Sequence, residues 1–276
     1  MFSEMLKNVR ERVPLVHCIT NYVTVNDCAN ILLACGGSPI MADDEQEVEE
    51  ITSVCGGLTI NIGTLNSRTV KSMMLAGKRA NVLGHPVLLD PVGVGASTLR
   101  TETAVKLLEN VRFTAVRGNI SEIKTLALGS GNTKGVDADM ADAVTEENMD
   151  RVIAFAREFS EKTGAITVIT GAVDLVVDGK QAYVIQNGHP MMSKVTGTGC
   201  MLSAMMSAYL TANQDAPLRA AAAAVCAMGI AGERAYDRML AFHGGSGSYR
   251  MFLMDEISNL NEKILEQGAR YEIRES

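Results

Sequence analysis

Short runs of apolar and β-branched residues alternate along this chain with segments of helical periodicity, and this alternation restricts the fold more than any other feature. The runs are bounded by glycine, proline or asparagine, and they lie at residues 14–20, 38–42, 57–63, 86–91, 113–119 and 165–171. Each is typical of a buried strand. Helical spacing is clearest at 66–83 and 145–163. The alternation predicts an α/β fold of three layers, with a mostly parallel sheet between two layers of helices.

The pattern changes in the second half of the chain. Residues 174–179 and 181–188 form two short apolar runs around an Asp-Gly-Lys turn, which predicts a hairpin and therefore a short antiparallel edge on the sheet. Helical sequence follows at 200–212, 216–240 and 246–268. Because we find neither a Pro- or Ser-rich linker nor an internal repeat, we predict a single domain over residues 1–276.

Composition excludes several classes of partner. The net charge is -7, tryptophan is absent and no basic cluster occurs, which argues against nucleic acid. The N-terminus is charged, and no run approaches the ~20 apolar residues of a membrane span, so we expect a soluble cytoplasmic protein. The 6 cysteines form no CxxC pair, which indicates reduced thiols rather than a zinc or redox site.

Polar or glycine-rich sequence follows every predicted strand. In open α/β sheets, ligands bind beyond the carboxyl ends of the strands. The segments at that edge are 20–21, 41–44, 61–64, 90–96, 117–119 and 170–171. Loops are polar by default, but six polar or glycine-rich segments at one edge are more than loops require. We therefore predict a functional site there. The polar segment 129–144 is interpreted either as a flap beside this site or as an ordinary solvated loop.

The sharpest motif is Thr196-Gly197-Thr198-Gly199-Cys200, which is followed at once by an apolar helix. Glycines let the backbone N–H groups turn outward, and a helix N-terminus adds positive potential, which together suit a transferring phosphoryl group. In the first helical turn the pKa of Cys200 is expected to fall, so that the thiol acts as a base or as a polar anchor near a substrate hydroxyl. The alternative is a plain helix start with a packed thiol.

A second set of polar residues comprises Asp90, Arg117, Asn119 and Glu122. Asn119 and Glu122 have the spacing of a capping box. Asp90 and Glu122 would also end adjacent strands, where two carboxylates can hold Mg²⁺ through water. Arg117 suits nucleotide phosphates.

Other catalytic units lack support in the sequence. The 4 histidines lie in a strand or in turns, and no nucleophile accompanies them. There is no GxSxG elbow, no GxxxxGK[ST] phosphate loop, and no GxGxxG at the first helix.

Taken in order, several segments resemble the hydroxyethylthiazole kinase family, and the resemblance runs from about residue 13 to residue 205. They are PLVHCITNYVTVNDCANILLACGGSPIMA, LTINIGTL, VLLDPVGVGAS, VRGNISEI, KGVD, VITGAVD and KVTGTGC. The resemblance implies a ribokinase-like fold and phosphorylation of the primary hydroxyl of 4-methyl-5-(2-hydroxyethyl)thiazole, with ATP and Mg²⁺, in thiamine salvage. It also implies a homotrimer with active sites at the subunit interfaces.

The resemblance further implies roles for individual residues. Thiazole contacts are expected from Asn21, Met41 and Gly197, ATP contacts from Arg117 and Thr170, and a place near the metal for Asp90 and Glu122. Ribokinase relatives generally have an aspartate base where this family has the cysteine, here Cys200. Phosphoryl transfer through a loose transition state depends mainly on positioning and charge neutralisation, so it tolerates a weak base.

Three alternatives remain open at this point. The same fold serves kinases of pyrimidine or pyridoxal-type alcohols, although a GTGC motif in place of GTGD argues against them. It also serves a nucleotide-dependent dehydratase that repairs a hydrated nicotinamide cofactor. The third alternative is a sensor that binds nucleotide or thiamine precursors without turnover. Accumulation of ADP with free thiazole alcohol, but not with a hydrated nicotinamide cofactor, distinguishes the predicted kinase from the first two. Turnover that accompanies binding distinguishes it from the sensor.

Overall fold

The structure, a computed structural model, describes residues 2–129 and 143–275. A single 9-stranded sheet runs through them in the order β2-β1-β3-β4-β5-β6-β7-β8-β9. Its strands are β1 (Leu15–Ile19), β2 (Ser38–Ile40), β3 (Gly57–Asn61), β4 (Val87–Asp90), β5 (Ala115–Gly118), β6 (Ile166–Ile169), β7 (Asp174–Val177), β8 (Gln181–Ile185) and β9 (Tyr271–Glu275). Residues 130–142 of the loop predicted at 129–144 lie outside the described residues. The single-domain organisation also stays a prediction.

Helices cover both faces of this sheet. They are α1 (Phe2–Arg12), α2 (Val25–Cys35), α3 (Val48–Val54), α4 (Ser67–Leu83), α5 (Thr98–Asn110), α6 (Ile120–Gly129), α7 (Met149–Thr163), α8 (Thr198–Ala212), α9 (Pro217–Ala241), α10 (Ser246–Asn259) and α11 (Glu262–Gly268), with a 3₁₀ helix at Pro190–Lys194. Among the helices of the described residues, none combines the length and the apolar character that a bilayer crossing demands.

Two apolar clusters fill the space on either side of the sheet. One contains side chains of α1, α2 and α8 to α11, and the other contains side chains of α3 to α7. Successive side chains of a strand point to opposite faces of the sheet and so contribute to both clusters. Leu88 of β4 belongs to the first cluster, while its neighbours Val87 and Leu89 belong to the second. The predicted three-layer α/β fold is therefore confirmed.

Strand direction matches the prediction and extends it. The six strands β1 to β6 pair in parallel, so their carboxyl ends lie at one edge of the sheet. The predicted hairpin of β7 and β8 is present and antiparallel. The antiparallel part is longer than predicted, because β9 adds to β8 as a last strand. This strand was missed, since five largely exposed residues carry little periodicity and only the pairing with β8 makes them a strand.

The C-terminal helical segment is divided in a way that the sequence prediction did not anticipate. We predicted continuous helical sequence over 246–268, but α10 ends at Asn259 and α11 begins after Asn261. The Asn261 side chain caps α11 by accepting a hydrogen bond from the Ile264 N–H group at 2.9 Å. An asparagine between two helical patterns is thus a boundary here.

Candidate active site

The glycines before α8 allow close approach to two neighbouring side chains. Gly197 adopts the left-handed conformation at φ 89°, and a Cβ atom there would lie 2.5 Å from Thr24 Cγ2. At Gly199, a Cβ atom would lie 2.6 Å from Arg117 Nη1. A larger residue at either place must displace its neighbour. The motif therefore packs the N-terminus of α8 directly against the Arg117 guanidinium.

The first turns of α8 carry a polar stripe over β3 and β4. The contacts are Asn61 Nδ2 to Cys200 Sγ at 3.3 Å, Ser203 Oγ to Asp90 Oδ2 at 2.8 Å, and Thr59 Oγ1 to Ser207 Oγ at 2.7 Å. Residues 200, 203 and 207 share one helical face, and residues 59 and 61 share one face of β3. The stripe aligns the thiol with the end of the sheet.

Asn21 completes a buried hydrogen-bond network around the sulfur. Its Nδ2 donates to Asn61 Oδ1 at 3.0 Å and to Cys200 Sγ at 3.3 Å. Its Oδ1 accepts from the Thr24 backbone N–H and hydroxyl, each at 3.1 Å. Asn61 Nδ2 donates in turn to Asp90 Oδ2 at 2.8 Å. Both amide NH₂ groups thus use both protons, which fixes the orientation of each side chain. We call Asn21, Asn61, Asp90, Cys200 and Ser203 the thiol network.

The electrostatics at Cys200 correct the expectation drawn from the sequence. We expected the helix N-terminus to lower the pKa of this thiol. Instead, burial raises the pKa of Cys200, and the neighbouring Asp90 carboxylate raises it further. Hydrogen bonds from Thr24, Asn61 and Asn21 oppose this rise without cancelling it. The neutral thiol is therefore the dominant form near pH 7.

Asp90 ends β4 and is fully buried. Burial raises the pKa of Asp90, while Arg117, Ser203 and Asn61 act in the opposite direction. Its Oδ2 accepts the two hydrogen bonds given above. Its Oδ1 lies 3.7 Å from Arg117 Nη1 and has no hydrogen-bond partner among the described residues. One oxygen of a buried carboxylate is therefore left for a ligand.

Arg117 connects the thiol network to the next strand. Its Nη2 donates to Thr170 Oγ1 at 2.6 Å, so the structure brings together the two residues predicted to contact ATP. Its side chain is 13% exposed, and Nε is buried without a hydrogen-bond partner in the described part of the chain. A buried guanidinium with a spare donor is suited to an anionic ligand.

Glu122 forms the capping box that its spacing predicted. Its Oε2 accepts from the Asn119 N–H at 2.8 Å, and its own N–H donates to Asn119 Oδ1 at 2.8 Å. Its Oε1 accepts from the Gly93 N–H at 2.8 Å, which ties α6 to the loop after β4. Among the described residues, each oxygen accepts a single hydrogen bond and so keeps a lone pair. The negative charge of Glu122 helps to raise the pKa of Asp90.

The two carboxylates fit Mg²⁺ held through water better than a closed cage of protein ligands. In the described ranges, no group of three or more His, Cys, Asp or Glu side chains is placed to hold a metal ion. Mg²⁺ keeps several waters and uses one or two carboxylates plus substrate phosphates. The unpartnered Oδ1 of Asp90 and the free lone pairs of Glu122 suit that arrangement.

A cavity of about 560 Å³ opens beside Arg117. Its polar end contains Arg117, Thr170 and Gly199, and apolar side chains of α9, Val225 and Met228, contribute elsewhere to its wall. Asn21, Met41 and Cys200 do not belong to its lining. We call this space the large cavity. The predicted ATP residues therefore line it, whereas the predicted thiazole residues Asn21, Met41 and Gly197 do not.

Met41 directly follows β2 and is half-buried against the first apolar cluster. The strand order places it at the same sheet edge as Asn21, which follows the neighbouring strand β1. His17 of β1 supports the loop after Met41, since its Nε2 hydrogen-bonds the Ala42 carbonyl at 2.8 Å. Among the described residues, no hydrogen bond joins Met41 to the thiol network, so its predicted substrate role stays a prediction.

Comparison with known proteins decides the family. Residues 6–263 match the model of the hydroxyethylthiazole kinase family. The chain belongs to this family. It is 64% identical over 272 residues to a hydroxyethylthiazole kinase of Clostridium acetobutylicum, with 99% of each chain covered.

Solved structures agree with this family assignment and with the predicted fold. A hydroxyethylthiazole kinase protein from Pyrococcus horikoshii OT3 superimposes with a TM-score of 0.87 at 37% identity, covering 100% of this chain and 98% of that one. A ribokinase-like superfamily protein from Enterococcus faecalis gives a TM-score of 0.61 at 11% identity, covering 93% and 89%. The second likeness shows the fold alone, and that fold is ribokinase-like as expected.

Within this family member, sequence reasoning gave no individual role to three residues that the structure brings to the site: Asn61, which lay in the predicted edge segment 61–64, Ser203 and Asp174. A signal existed for two of them. Asn61 alternates with Thr59 inside an apolar strand, and Ser203 stands three residues after Cys200 in an apolar helix. Asp174 gave no such signal, because it opens a hairpin strand whose start is normally polar.

Proposed function

We propose that this chain transfers the γ-phosphoryl group of ATP to the hydroxyl of 4-methyl-5-(2-hydroxyethyl)thiazole, as a step of thiamine salvage. Family membership supports the choice of substrate. The observation that carries the proposal is the position of Arg117. It lies against the glycine-opened N-terminus of α8, between the unpartnered Oδ1 of Asp90 and the Thr170 hydroxyl. Such a junction of guanidinium, helix N-terminus and carboxylate suits a transferring phosphoryl group.

ATP occupies the large cavity in this proposal. Its phosphates lie at the polar end, where Arg117, Thr170 and the backbone N–H groups at the start of α8 neutralise negative charge. The apolar side chains Val225 and Met228 suit the base. A bound adenosine triphosphate also covers Arg117 Nε and thereby removes an unsatisfied buried donor.

The alcohol binds on the other side of Arg117, among Asn21, Met41, Gly197 and Cys200. The thiol network holds Cys200 in place through two amide groups, so the sulfur can accept or donate a hydrogen bond at a fixed position. Because the pKa of Cys200 is raised, we assign the thiol the role of orienting the substrate hydroxyl rather than of a strong base. Phosphoryl transfer through a loose transition state needs little help from a base.

Mg²⁺ is the metal that we propose for this site, with Asp90 and Glu122 holding it through water. When bound with ATP, the ion neutralises charge on the phosphate oxygens. The chain's own contribution is to orient the two carboxylates. Asn61 and Ser203 fix Asp90, while the capping box and the Gly93 N–H fix Glu122.

We further propose a cytoplasmic homotrimer whose interfaces complete the alcohol site. Tyr22 and Val23 directly follow Asn21 and are 77% and 58% exposed. Adjacent exposed apolar side chains beside a candidate site are suited to burial by a partner subunit. All six cysteines are free thiols, which agrees with a reducing compartment.

A panel of hydroxyalkyl heterocycles tests this function. Purified protein with Mg²⁺ and ATP is incubated with the thiazole alcohol, pyridoxal, a hydroxymethylpyrimidine and a hydrated nicotinamide cofactor. ADP and product are then quantified by chromatography and mass spectrometry. We expect a phosphate monoester of the thiazole alcohol as the major product. Absence of that monoester, or binding of the alcohol without turnover, contradicts the proposal and favours another kinase, a dehydratase or a sensor.

A further inference from the structure

Asp174 places a carboxylate in the large cavity that no step above uses. It is the first residue of β7 and belongs to the cavity lining. Its Oδ1 accepts a hydrogen bond from the Gly171 N–H at 2.8 Å, which fixes the carboxylate plane. In the part of the chain that the structure describes, its Oδ2 has no hydrogen-bond partner. This oxygen is therefore free to accept a hydrogen bond from a ligand in the cavity.

Asp174 lines the large cavity next to the Arg117 site. Its hydrogen-bond partner Gly171 directly follows Thr170, the residue that accepts from Arg117. Val225 and Met228 of α9 belong to the lining of the same cavity. In a nucleotide, the ribose joins the phosphates to the base. A nucleotide with phosphates on Arg117 and its base against α9 therefore places its ribose near Asp174.

The charge of Asp174 restricts which part of a nucleotide it can recognise. A carboxylate only accepts hydrogen bonds, and it repels phosphate oxygens. The ribose carries two neutral hydroxyl donors at adjacent carbons, and an acidic residue that accepts from a ribose hydroxyl is a general solution in nucleotide sites. The nucleobase offers fewer donors and suits the apolar wall.

We propose that Asp174 is the residue that recognises the ribose hydroxyls of the nucleotide, and that it makes the enzyme select ribonucleotides over deoxyribonucleotides. This inference rests on the proposed nucleotide site in the large cavity. The competing explanation is a purely local one, in which Asp174 only caps the turn from Gly171 to β7.

The other end of β7 supplies a matched control. Asp178 also caps a turn, because its Oδ1 accepts from the Lys180 and Gln181 N–H groups, each at 2.7 Å. It does not line the large cavity. Asp178→Asn and Asp174→Asn therefore change the same chemical group in turns at opposite ends of one strand, and only Asp174→Asn alters the cavity.

Calorimetric titrations with ATP, 2′-deoxyATP and 3′-deoxyATP, without the alcohol, test the proposal on the unmodified protein and on both variants. We expect the unmodified protein to bind ATP roughly 10- to 100-fold more tightly than at least one deoxy analogue, since a hydrogen bond to a charged acceptor is lost. Asp174→Asn should weaken ATP binding by most of this roughly 10- to 100-fold difference and should leave the affinity for the weaker-binding deoxy analogue nearly unchanged. The variant should therefore lose the selectivity for ATP. Asp178→Asn should retain that selectivity.

Two results overturn the assignment. One is equal affinity of the unmodified protein for ATP and both analogues, a result that needs no variant and so does not depend on folding. The other is an equal loss for ATP and both analogues in Asp174→Asn, which is what a turn cap alone predicts. Because binding is measured without the alcohol, failure of the thiazole assay leaves this test intact, and the two failures are told apart.

Discussion

The thiol network and the large cavity meet at Arg117, but they differ in how completely the protein satisfies their polar groups. In the thiol network, the amides of Asn21 and Asn61 use every proton, and Asp90 Oδ2 accepts from two side chains. In the large cavity, Asp174 accepts a hydrogen bond through Oδ1, whereas its Oδ2 has no hydrogen-bond partner among the described residues. The unpartnered buried atoms Asp90 Oδ1 and Arg117 Nε lie where the two regions meet.

This difference indicates two kinds of binding. A satisfied network is rigid before any ligand arrives, so it holds a reacting hydroxyl in place at little entropic cost. Unsatisfied groups gain most from a ligand that supplies the missing partners. We therefore expect changes in the thiol network to affect turnover, and changes in the large cavity to affect nucleotide affinity.

The largest effect is expected from Asp90→Asn, which removes charge where the two regions meet while nearly preserving volume. We predict a fall in kcat of about 10²–10³, a typical cost of losing one electrostatic contact to a transition state. Steady-state kinetics with the thiazole alcohol measure it, and Asp178→Asn is the control. A variant that keeps the parent's kcat shows that Asp90 takes no part in turnover.

Arg117→Ala should weaken nucleotide binding in the large cavity while leaving binding of the alcohol nearly unchanged. Loss of a charge-assisted contact to phosphate is expected to weaken ATP binding by roughly 10- to 100-fold. Binding of the thiazole alcohol should hardly change, because Arg117 donates no hydrogen bond to the network amides. Separate calorimetric titrations of the two ligands measure the difference. Equal losses for ATP and alcohol contradict the division into two regions.

A smaller effect is expected at Cys200, where the raised pKa favours an orienting thiol. We predict that Cys200→Ala lowers kcat by no more than about tenfold, against ~10²–10⁴ for loss of a general base. Cys200→Asp should be slower than Cys200→Ala, because it places a second buried carboxylate beside Asp90. Activity retained only by the aspartate variant, with kcat of the parent rising steadily with pH, supports a base instead.

The smallest effect concerns pH and the selectivity for ribonucleotides. Burial raises the pKa of Asp174 to about 7, with the Gly171 N–H and Arg117 opposing the rise. The carboxylate form dominates above that pH, so the preference for ATP over the deoxy analogue should be full at pH 8 and shrink by pH 6. Cys226 stays neutral, since burial raises its pKa. His189 also lines the cavity, but any contribution that it makes is shared by ATP and both deoxy analogues and therefore cancels in their affinity ratio.

Titration of the nucleotide phosphates cancels in this comparison, because all the nucleotides carry the same triphosphate. Affinity ratios at pH 6, 7 and 8 therefore report on the protein groups alone. A ratio independent of pH shows that Asp174 does not accept the ribose hydroxyls in its charged form. Asp174→Asn serves as the control, since its ratio should be flat and close to one.

Much of the site could be predicted because the order and direction of the strands determine where the short segments that follow them lie. Once parallel strands are inferred, residues that follow them must converge at one edge, which is why Arg117 and Thr170 were correctly placed near each other. The Asn119 and Glu122 capping box is likewise a local pattern with a local cause.

The rest depends on packing that the sequence does not encode locally. The pKa of Cys200 is set by burial and by Asp90, a residue 110 positions earlier, so the expectation from the helix N-terminus alone had the wrong sign. Strand β9 exists because β8 offers an edge, and Phe2 packs on its Tyr271 ring at 4.7 Å. Both effects join residues that are distant in the chain.

A crystal structure with a non-hydrolysable ATP analogue and the thiazole alcohol would locate both ligands relative to Arg117. We predict the triphosphate at Arg117 and the N-terminus of α8, the ribose beside Asp174, and the substrate hydroxyl within hydrogen-bond reach of Cys200 Sγ. A triphosphate bound away from Arg117, or an alcohol bound in the large cavity rather than beside Asn21 and Cys200, contradicts the proposed division of the site.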